Sequence, residues 1–331
     1  MVRAAPTRRP AKNRSTEATS SGNFRAGTVG LGVSRTSVGV AGRYLSERSA
    51  IRHRPVRVTL SGRDIKSLLD SAGLEPRRSL GQNFVSDPNT VRRIARLAEV
   101  GPGDRVVEIG AGLGSLTLAL VVAGAEVVAI ETDPHLLPLL REVVGDTATV
   151  VHQDAREADW DALLPGVDWT LVANLPYNVA TSLVLDVLDE VPQVRRLLVM
   201  VQREAGERLV ATGGDKSYGA VSVRVAMRAT GRIVGTVSPE VFHPKPKVTS
   251  VLVKLDRHAE SPIPDDVDET VLLELLRAGF AQRRKMLRGS LKGLATSADI
   301  AASGARPEAR AEELRLPDWI ALARTVSRPS S

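Results

Sequence analysis

The stretch Trp169-Thr170-Leu171-Val172-Ala173-Asn174-Leu175-Pro176-Tyr177 decides how the chain is read. An apolar run, Trp169 to Ala173, precedes the loop, and a helical pattern with apolar residues at Val179, Leu183, Val184, Val187 and Leu188 follows it. That is strand, loop, helix, with Asn174-Leu175-Pro176-Tyr177 at the carboxyl end of the strand, where open α/β sheets bind their ligands. The tetrapeptide suits one task. An amide accepts hydrogen bonds from an exocyclic amine, a proline fixes the backbone carbonyl beside it, and a phenol ring stacks on a planar base. The amino group of a nucleobase is the target this chemistry points to. Asn-x-Pro is also ordinary turn chemistry, so the weight of the reading comes from its neighbours.

Working outward, strands and helices alternate. Strands are expected at Arg105 to Ile109, Glu126 to Glu131, Thr149 to His152 and Leu197 to Val201, with helices at Leu113 to Val122, Pro134 to Val144, 179 to 189 and 203 to 211. Such alternation implies a parallel sheet covered on both faces. Upstream, the spacing of Ser61 and Asp64 predicts a capping box for a short helix that ends at Gly73, and Asp87-Pro88 predicts an N-cap with proline at the first helical position. Downstream, further strands are expected at 219 to 228, 232 to 237 and 249 to 255. The linker Ser261-Pro262-Ile263-Pro264 then opens an all-helical section. The expected division is a basic, disordered tail over 1–60, a Rossmann-like domain over 61–258 and a helical domain over 259–331.

At 331 residues with 43% hydrophobic side chains, the chain can bury a sizeable core. It has no cysteine, which excludes disulfides and thiolate-zinc sites. The five histidines show no close pairing, and no metal is expected. Residues 1–60 hold twelve Lys or Arg against Glu17 and Glu47, a net of +10; the formal charge of the whole is +7, which leaves −3 for residues 61–331. Any contact with an acidic partner therefore has to come from local clusters. No stretch of about twenty apolar residues appears, so no membrane span is expected. The tail resembles an organellar transit peptide in composition, but a solvated tail or an over-long start accounts for it better, and a cytoplasmic location is expected.

The first strand of the alternation ends in Glu108-Ile109-Gly110-Ala111-Gly112-Leu113-Gly114, followed by a helix. Glycines let backbone approach a ligand closely, and the helix start offers free N–H groups. The second strand ends at Glu131, where a carboxylate can accept from both ribose hydroxyls. A dinucleotide and S-adenosylmethionine fit equally well to this point. Gln153-Asp154-Ala155 after the third strand, then the Asn-Leu-Pro-Tyr loop, favour S-adenosylmethionine, because they offer acceptors and a ring rather than a hydride path. Glu131 and Asp154 could each cap a helix instead.

With these pieces in place, the chain resembles the ribosomal RNA adenine N6-dimethyltransferases, most closely the KsgA-type that modifies 16S rRNA. The resemblance covers about 250 residues in order. It rests on Gln82-Asn83-Phe84, the glycine turn, Glu131, Gln153-Asp154-Ala155, Asn174-Leu175-Pro176-Tyr177-Asn178, Met200-Val201-Gln202-Arg203-Glu204, Tyr218-Gly219, Phe242-His243-Pro244-Lys245-Pro246-Lys247-Val248 and Phe280-Ala281-Gln282-Arg283-Arg284-Lys285. It implies a class I S-adenosylmethionine-dependent methyltransferase sheet with a small helical C-terminal domain, and dimethylation at N6 of two adjacent adenosines near the 3′ end of 16S rRNA in a small-subunit precursor.

Carried over position by position, the resemblance implies cofactor contacts at Asn83, Val85, Gly110, Gly112, Glu131, Asp154 and Asn174. Val85 stands where the family more often has leucine and Ala111 where it often has proline. Asn174, Pro176 and Tyr177 are expected to hold and stack the base, with Phe242 as a second ring. Lys245, Lys247, Arg283, Arg284, Lys285 and Arg288, with Lys292 nearby, are expected on RNA phosphates, the last five along a helical pattern. A monomer is expected. Two rivals are a 23S rRNA adenine methyltransferase of the macrolide-resistance type, disfavoured by the Pro-Lys-Val and Ala-Gln-Arg-Arg-Lys segments, and a non-catalytic ribosome assembly factor, disfavoured by the intact acceptor loop. A dinucleotide oxidoreductase is a distant third.

Overall fold

The computed structural model describes residues 58–327, so the tail expected to be disordered lies, through residue 57, outside the described residues. Order is present before the expected boundary at Ser61. Leu60 is wholly buried, and Thr59 Oγ1 sits 2.8 Å from Ser115 Oγ. Ser61 caps α1 (Gly62–Ser71) by exchanging hydrogen bonds with Asp64, and Gly73, at φ +64°, follows the helix end. After β1 (Phe84–Val85), Asp87 caps α2 (Pro88–Leu97) by accepting from the Thr90 amide.

The chain then alternates as β2 (Arg105–Ile109), α3 (Ser115–Val122), β3 (Glu126–Glu131), α4 (Leu137–Val144), β4 (Thr149–His152), the single turn α5 (Trp160–Leu163), β5 (Trp169–Asn174), α6 (Ala180–Glu190), β6 (Val194–Gln202), α7 (Arg203–Val210) and α8 (Ala220–Ala226). Next come β7 (Ala229–Val237), β8 (Phe242–His243) and β9 (Ser250–Arg257). The helical section follows as α9 (Glu269–Ala281), α10 (Leu287–Ser290), α11 (Ser297–Ala302) and α12 (Leu316–Ser327).

Seven strands form one sheet in the order β4-β3-β2-β5-β6-β9-β7, and β1 pairs with β8 in a separate ribbon. From β4 to β6 every pairing is parallel; β9 runs antiparallel to both of its neighbours. The reason is local. Only a single 3-10 turn, Pro239–Val241, and the two-residue β8 separate β7 from β9, and a return without a crossover helix pairs antiparallel.

Alternate residues of each central strand serve opposite faces. Val107, Ile109, Leu171, Ala173, Leu197 and Val199 join one core with α6, while Val106, Val172, Leu198 and Met200 join another with α2 and α3. A third core, around Trp319, Leu272, Leu275 and Leu287, belongs to the helical section, and Tyr218, Val223 and Met227 reach into it.

Two expectations fail here. The alternation of Val221, Val223 and Val225 suggests a strand over 219–228, yet residues 220–226 are helical. Val223 packs in the core of the helical section and Val225 in that of the sheet, so α8 is apolar on two sides and lacks the single stripe that marks a surface helix. Arg283, Arg284 and Lys285, expected along a helix, occupy the turn between α9 and α10. The helix stops at Ala281, and Gln282 adopts a non-helical backbone.

One side chain ties the far end of the sheet to a helix. Arg257, at the end of β9, donates from Nη1 to Leu188 O at 2.7 Å, from Nη2 to Val187 O and Val191 O at 3.1 Å each, and from Nε to Val194 O at 2.8 Å. Three of these carbonyls lie at the end of α6, where acceptors outnumber helical donors, and the cation also faces the negative end of the helix. Replacing Arg257 with Met should remove the charged donors from this cluster and cost about 2 kcal/mol. Thermal unfolding should show a fall in Tm of roughly 4–8 °C, and an unchanged Tm would show that solvent serves the carbonyls equally well.

Candidate active site

The sheet reverses its winding between β2 and β5, and the candidate site lies where those strands end. Ile109 pairs with Ala173, so Gly110, just past the end of β2, lies beside Asn174, the last residue of β5, which still pairs with Met200 of β6. A Cβ on Gly110 would lie 3.8 Å from Asn174 O. Gly110, Gly112 and Gly114 have φ of +74°, +58° and +83°, a region that strains other residues. Two of them are also sites of close approach. A Cβ on Gly112 would stand 3.0 Å from the Phe84 ring, and one on Gly114 would stand 2.9 Å from Leu140 and Val144 of α4. The expected helix from Leu113 starts instead at Ser115, since these conformations are not helical, and its cap Gly114 offers no side chain to the first amides.

Two cavities adjoin around this turn. The first is lined by Asn83, Val85, Glu108, Gly112, Glu131 and Asn174, the second by Ser79, Gln153, Asp154, Arg156 and Asn178, and they share Leu80, Gly110, Thr132 and Pro176. Together they make an elongated groove across the carboxyl ends of β2, β3 and β4. An adenosyl ligand requires acceptors at its ribose and amine ends, and the carboxylates of Glu131 and Asp154 in the lining fit it.

The carboxylates differ in how they are held. Glu131 is 5% exposed; its Oε2 accepts from the Gly112 amide at 2.7 Å and its Oε1 from the Asp133 amide at 2.8 Å. Burial pushes it above the usual carboxylate range, against the pull of those amides. Glu108 is pushed up to about 8 by burial, with Thr117 donating to it at 2.5 Å, so it is a neutral acid at pH 7. Asp154 lines the second cavity and already has a partner. It accepts from the Arg156 amide at 3.0 Å and pairs with the Arg156 guanidinium at 2.6 Å, which holds it below the usual range. The alternative of a capping role is thus realised, since Asp154 starts the short turn 155–157.

In the acceptor loop, Asn174 Nδ2 donates to Asn83 O at 2.9 Å. This fixes the amide plane and leaves Oδ1 as the end turned away from that bond. Leu175 is buried, Pro176 is partly exposed, and the Pro176 carbonyl accepts from the amides of Val179 and Ala180, closing the turn into α6. Tyr177 is half-buried, with its hydroxyl 2.9 Å from Ser250 Oγ at the start of β9. It is not among the residues that line the two cavities.

Phe242 does not stand open as a second ring. It pairs with Val85 in the β1–β8 ribbon, is 5% exposed, and packs in the core with Val91, Leu198 and Met200. Nothing in the linear pattern signals this, because a two-residue ribbon has no period to detect. Asp133 is equally hidden there. It is 2% exposed and accepts from Gln82 Nε2 at 2.8 Å and the His135 amide at 3.0 Å, with Arg77 at 3.4 Å. Although burial works against it, these donors hold Asp133 below the usual carboxylate range. An aspartate before a proline reads locally as a cap, and its long-range partners are invisible in one dimension.

The basic residues divide likewise. Lys245 pairs with Glu240, Arg288 with Glu308 at 3.4 Å, and Arg283 with the Tyr218 carbonyl at 3.1 Å and Glu312 at 3.4 Å. Lys247, Arg284, Lys285 and Lys292 are exposed, and no ion pair holds them among the described residues.

The chain is similar in sequence to curated relatives named ribosomal RNA small subunit methyltransferase A. It is 45% identical over 272 residues to that of Leifsonia xyli subsp. xyli, covering 78% of this chain and 96% of the relative. It is 44% identical over 276 residues to that of Acidothermus cellulolyticus, covering 80% and 93%. Among solved structures, it resembles a dimethyladenosine transferase from Plasmodium falciparum with a TM-score of 0.63 at 25% identity, covering 72% of this chain and 95% of that one. It also resembles the 23S rRNA methyltransferase ErmE with a TM-score of 0.59 at 26% identity, covering 74% and 100%. Residues 73–327 match the family profile described as ribosomal RNA adenine dimethylase. Over residues 73–327, then, this chain belongs to the ribosomal RNA adenine dimethylase family, enzymes of class I methyltransferase fold whose methyl donor is S-adenosylmethionine.

Proposed function

We propose that this chain dimethylates N6 of two adjacent adenosines near the 3′ end of 16S rRNA, in a small-subunit precursor in the cytoplasm, as a monomer. The observation that carries the reading is the Asn174 amide, whose donor end is taken up by Asn83 O beside the glycine turn, so that an acceptor faces the groove. The small-subunit relatives, at 44–45% identity, favour 16S over 23S rRNA.

When bound, S-adenosylmethionine supplies an electrophilic methyl group, so the protein needs to align an amine rather than generate a strong base. The adenine N6 lone pair is delocalised into the ring. Asn174 Oδ1 and the Leu175 carbonyl accept its two N–H bonds, which turns the nitrogen lone pair outward. Pro176 has no N–H to compete there. Tyr177, steadied by Ser250, stacks on the base and offsets an unstacking cost of a few kcal/mol. Glu131 takes the ribose hydroxyls at the edge left by its two amides, and an adenine amine shares Asp154 with Arg156. Asn83, Val85, Gly110 and Gly112 form the wall. Phe242 is assigned no contact with the base, because its ring belongs to the core.

Lys247, Arg284, Lys285 and Lys292 are the cations that meet phosphate. Arg283, Arg288 and Lys245 already have protein acceptors and contribute less.

Incubating the protein and S-adenosylmethionine with 30S particles that lack these methyl groups, then mapping the product by mass spectrometry, should show dimethyladenosines at two adjacent positions near the 3′ end. Methyl groups on the large-subunit RNA alone would overturn the assignment. Asn174→Ala should hold the cofactor with a Kd near that of the parent while the single-turnover rate falls by about a hundredfold or more. Reversing Arg284 and Lys285 to Glu should weaken RNA binding and flatten its salt dependence by roughly 0.7 for each phosphate no longer neutralised; equal slopes would remove these residues from the interface.

A further inference from the structure

In the mechanism above the segment Arg77–Val85 supplies a wall and the carbonyl of Asn83, and it is fixed at three separate points, each of which fixes something different. It closes on itself through Gln82. The Gln82 amide donates to Arg77 O at 3.2 Å, and the Arg77 amide donates to Gln82 Oε1 at 2.8 Å. It is latched to the end of β3, where Gln82 Nε2 donates to Asp133 Oδ2 at 2.8 Å with Arg77 alongside. Asp133 is a firm post. It is 2% exposed, its amide donates to Glu131, and its Oδ1 accepts from the His135 amide.

The third point is the acceptor loop itself. Gly81 has φ +65° and lies flat on Pro176; a Cβ there would stand 2.8 Å from Pro176 Cβ and 3.3 Å from its Cα. Two residues on, Asn83 O takes the Asn174 donor at 2.9 Å. The same segment lines the cofactor groove with Leu80, Gly81, Gln82, Asn83 and Val85. One stiff strap therefore touches the cofactor wall, the carboxylate post and the group that aims the amine.

We propose that Gln82 and Gly81 are positioning residues for methyl transfer: the Gln82–Asp133 latch and the Gly81–Pro176 contact set the orientation of the Asn174 amide through Asn83 O. This rests on the assignment of Asn174 as the amine acceptor. Without the latch, Asn83 O drifts, the Asn174 amide is free to turn, and a donor end can face the amine in place of an acceptor. A 1 Å misplacement of this kind costs up to about a hundredfold in rate.

The donor and acceptor of the latch can be exchanged. In Gln82→Glu, two carboxylates meet, and adding Asp133→Asn restores the hydrogen bond with its direction reversed. The new side-chain amide at position 133 then donates to the new carboxylate at position 82, which still accepts from the Arg77 amide. The oxygen of that new amide still accepts from the His135 amide. Hydrogen exchange in the cofactor-free protein, cofactor Kd by calorimetry and single-turnover rate at saturating cofactor are measured for Gln82→Ala, Gln82→Glu and the exchanged pair, and for Gln82→Ala in the Asn174→Ala background.

The expected result is faster exchange over residues 80–84 and a rate lowered about ten- to a hundredfold in both single variants, with recovery of both in the exchanged pair. In the Asn174→Ala background, Gln82→Ala should lower the rate by less than about twofold more, because its effect passes through Asn174. Gly81→Ala tests the second contact and should lower the rate at saturating cofactor as well. A raised Kd with an unchanged rate would make the strap a wall only and overturn the proposal while leaving Asn174 in its role. So would unaltered exchange, or a full additional loss on top of Asn174→Ala. A parental rate in Asn174→Ala alone would instead overturn the assignment on which the proposal rests.

Discussion

The site depends on the parallel pairing of β2 with β5. Because Ile109 faces Ala173, the two chains leave the sheet in step, one as a glycine turn and the other as an acceptor loop. A slip of one residue would move every side chain of β5 to the opposite face, sending Leu171 and Ala173 out of one core and Val172 out of the other. The hydrophobic pattern of both strands therefore guards the geometry of a site to which the strands themselves give Glu108 and, at the last position of β5, Asn174. Chemistry at the strand ends inherits its precision from packing in the strand middles.

The electrostatics of the groove follow from what holds each acid. Backbone amides hold Glu131, an arginine two residues away holds Asp154, and donors from a distant loop hold Asp133. Glu108 has a single hydroxyl donor and deep burial, so it keeps its proton. A groove with several acceptors and few free cations suits a ligand that carries positive charge.

The basic segments illustrate why composition is a poor guide to an RNA surface. Of seven cations in the two basic segments, three satisfy acidic or carbonyl groups of the protein itself, as surface charges commonly do. The turn that carries Arg284 and Lys285 is presented by the packing of α9 against α12, where Gly279 admits the Trp319 ring; a Cβ on that glycine would stand 2.6 Å from it. A small residue in the core thus sets where an exposed charge is offered.

By itself, the sequence determined the alternating architecture, the caps of the first two described helices, the glycine turn and the acceptor loop, because each is written in contiguous residues whose spacing has a local physical meaning. The same kind of pattern misleads at α8, whose two buried sides imitate the alternation of a strand, and at Phe242, whose place beside basic residues suggests the site while its ring is in the core. Tertiary structure alone decided that Asn174 donates to Asn83 O, which cations are held by protein acceptors, and that Gln82 and Gly81 of the loop before β1 meet Asp133 and Pro176. The contacts of Gln82, Asn174 and Gly81 join residues 51 to 95 apart, and no local periodicity records a contact that only the folded chain brings within about 3 Å.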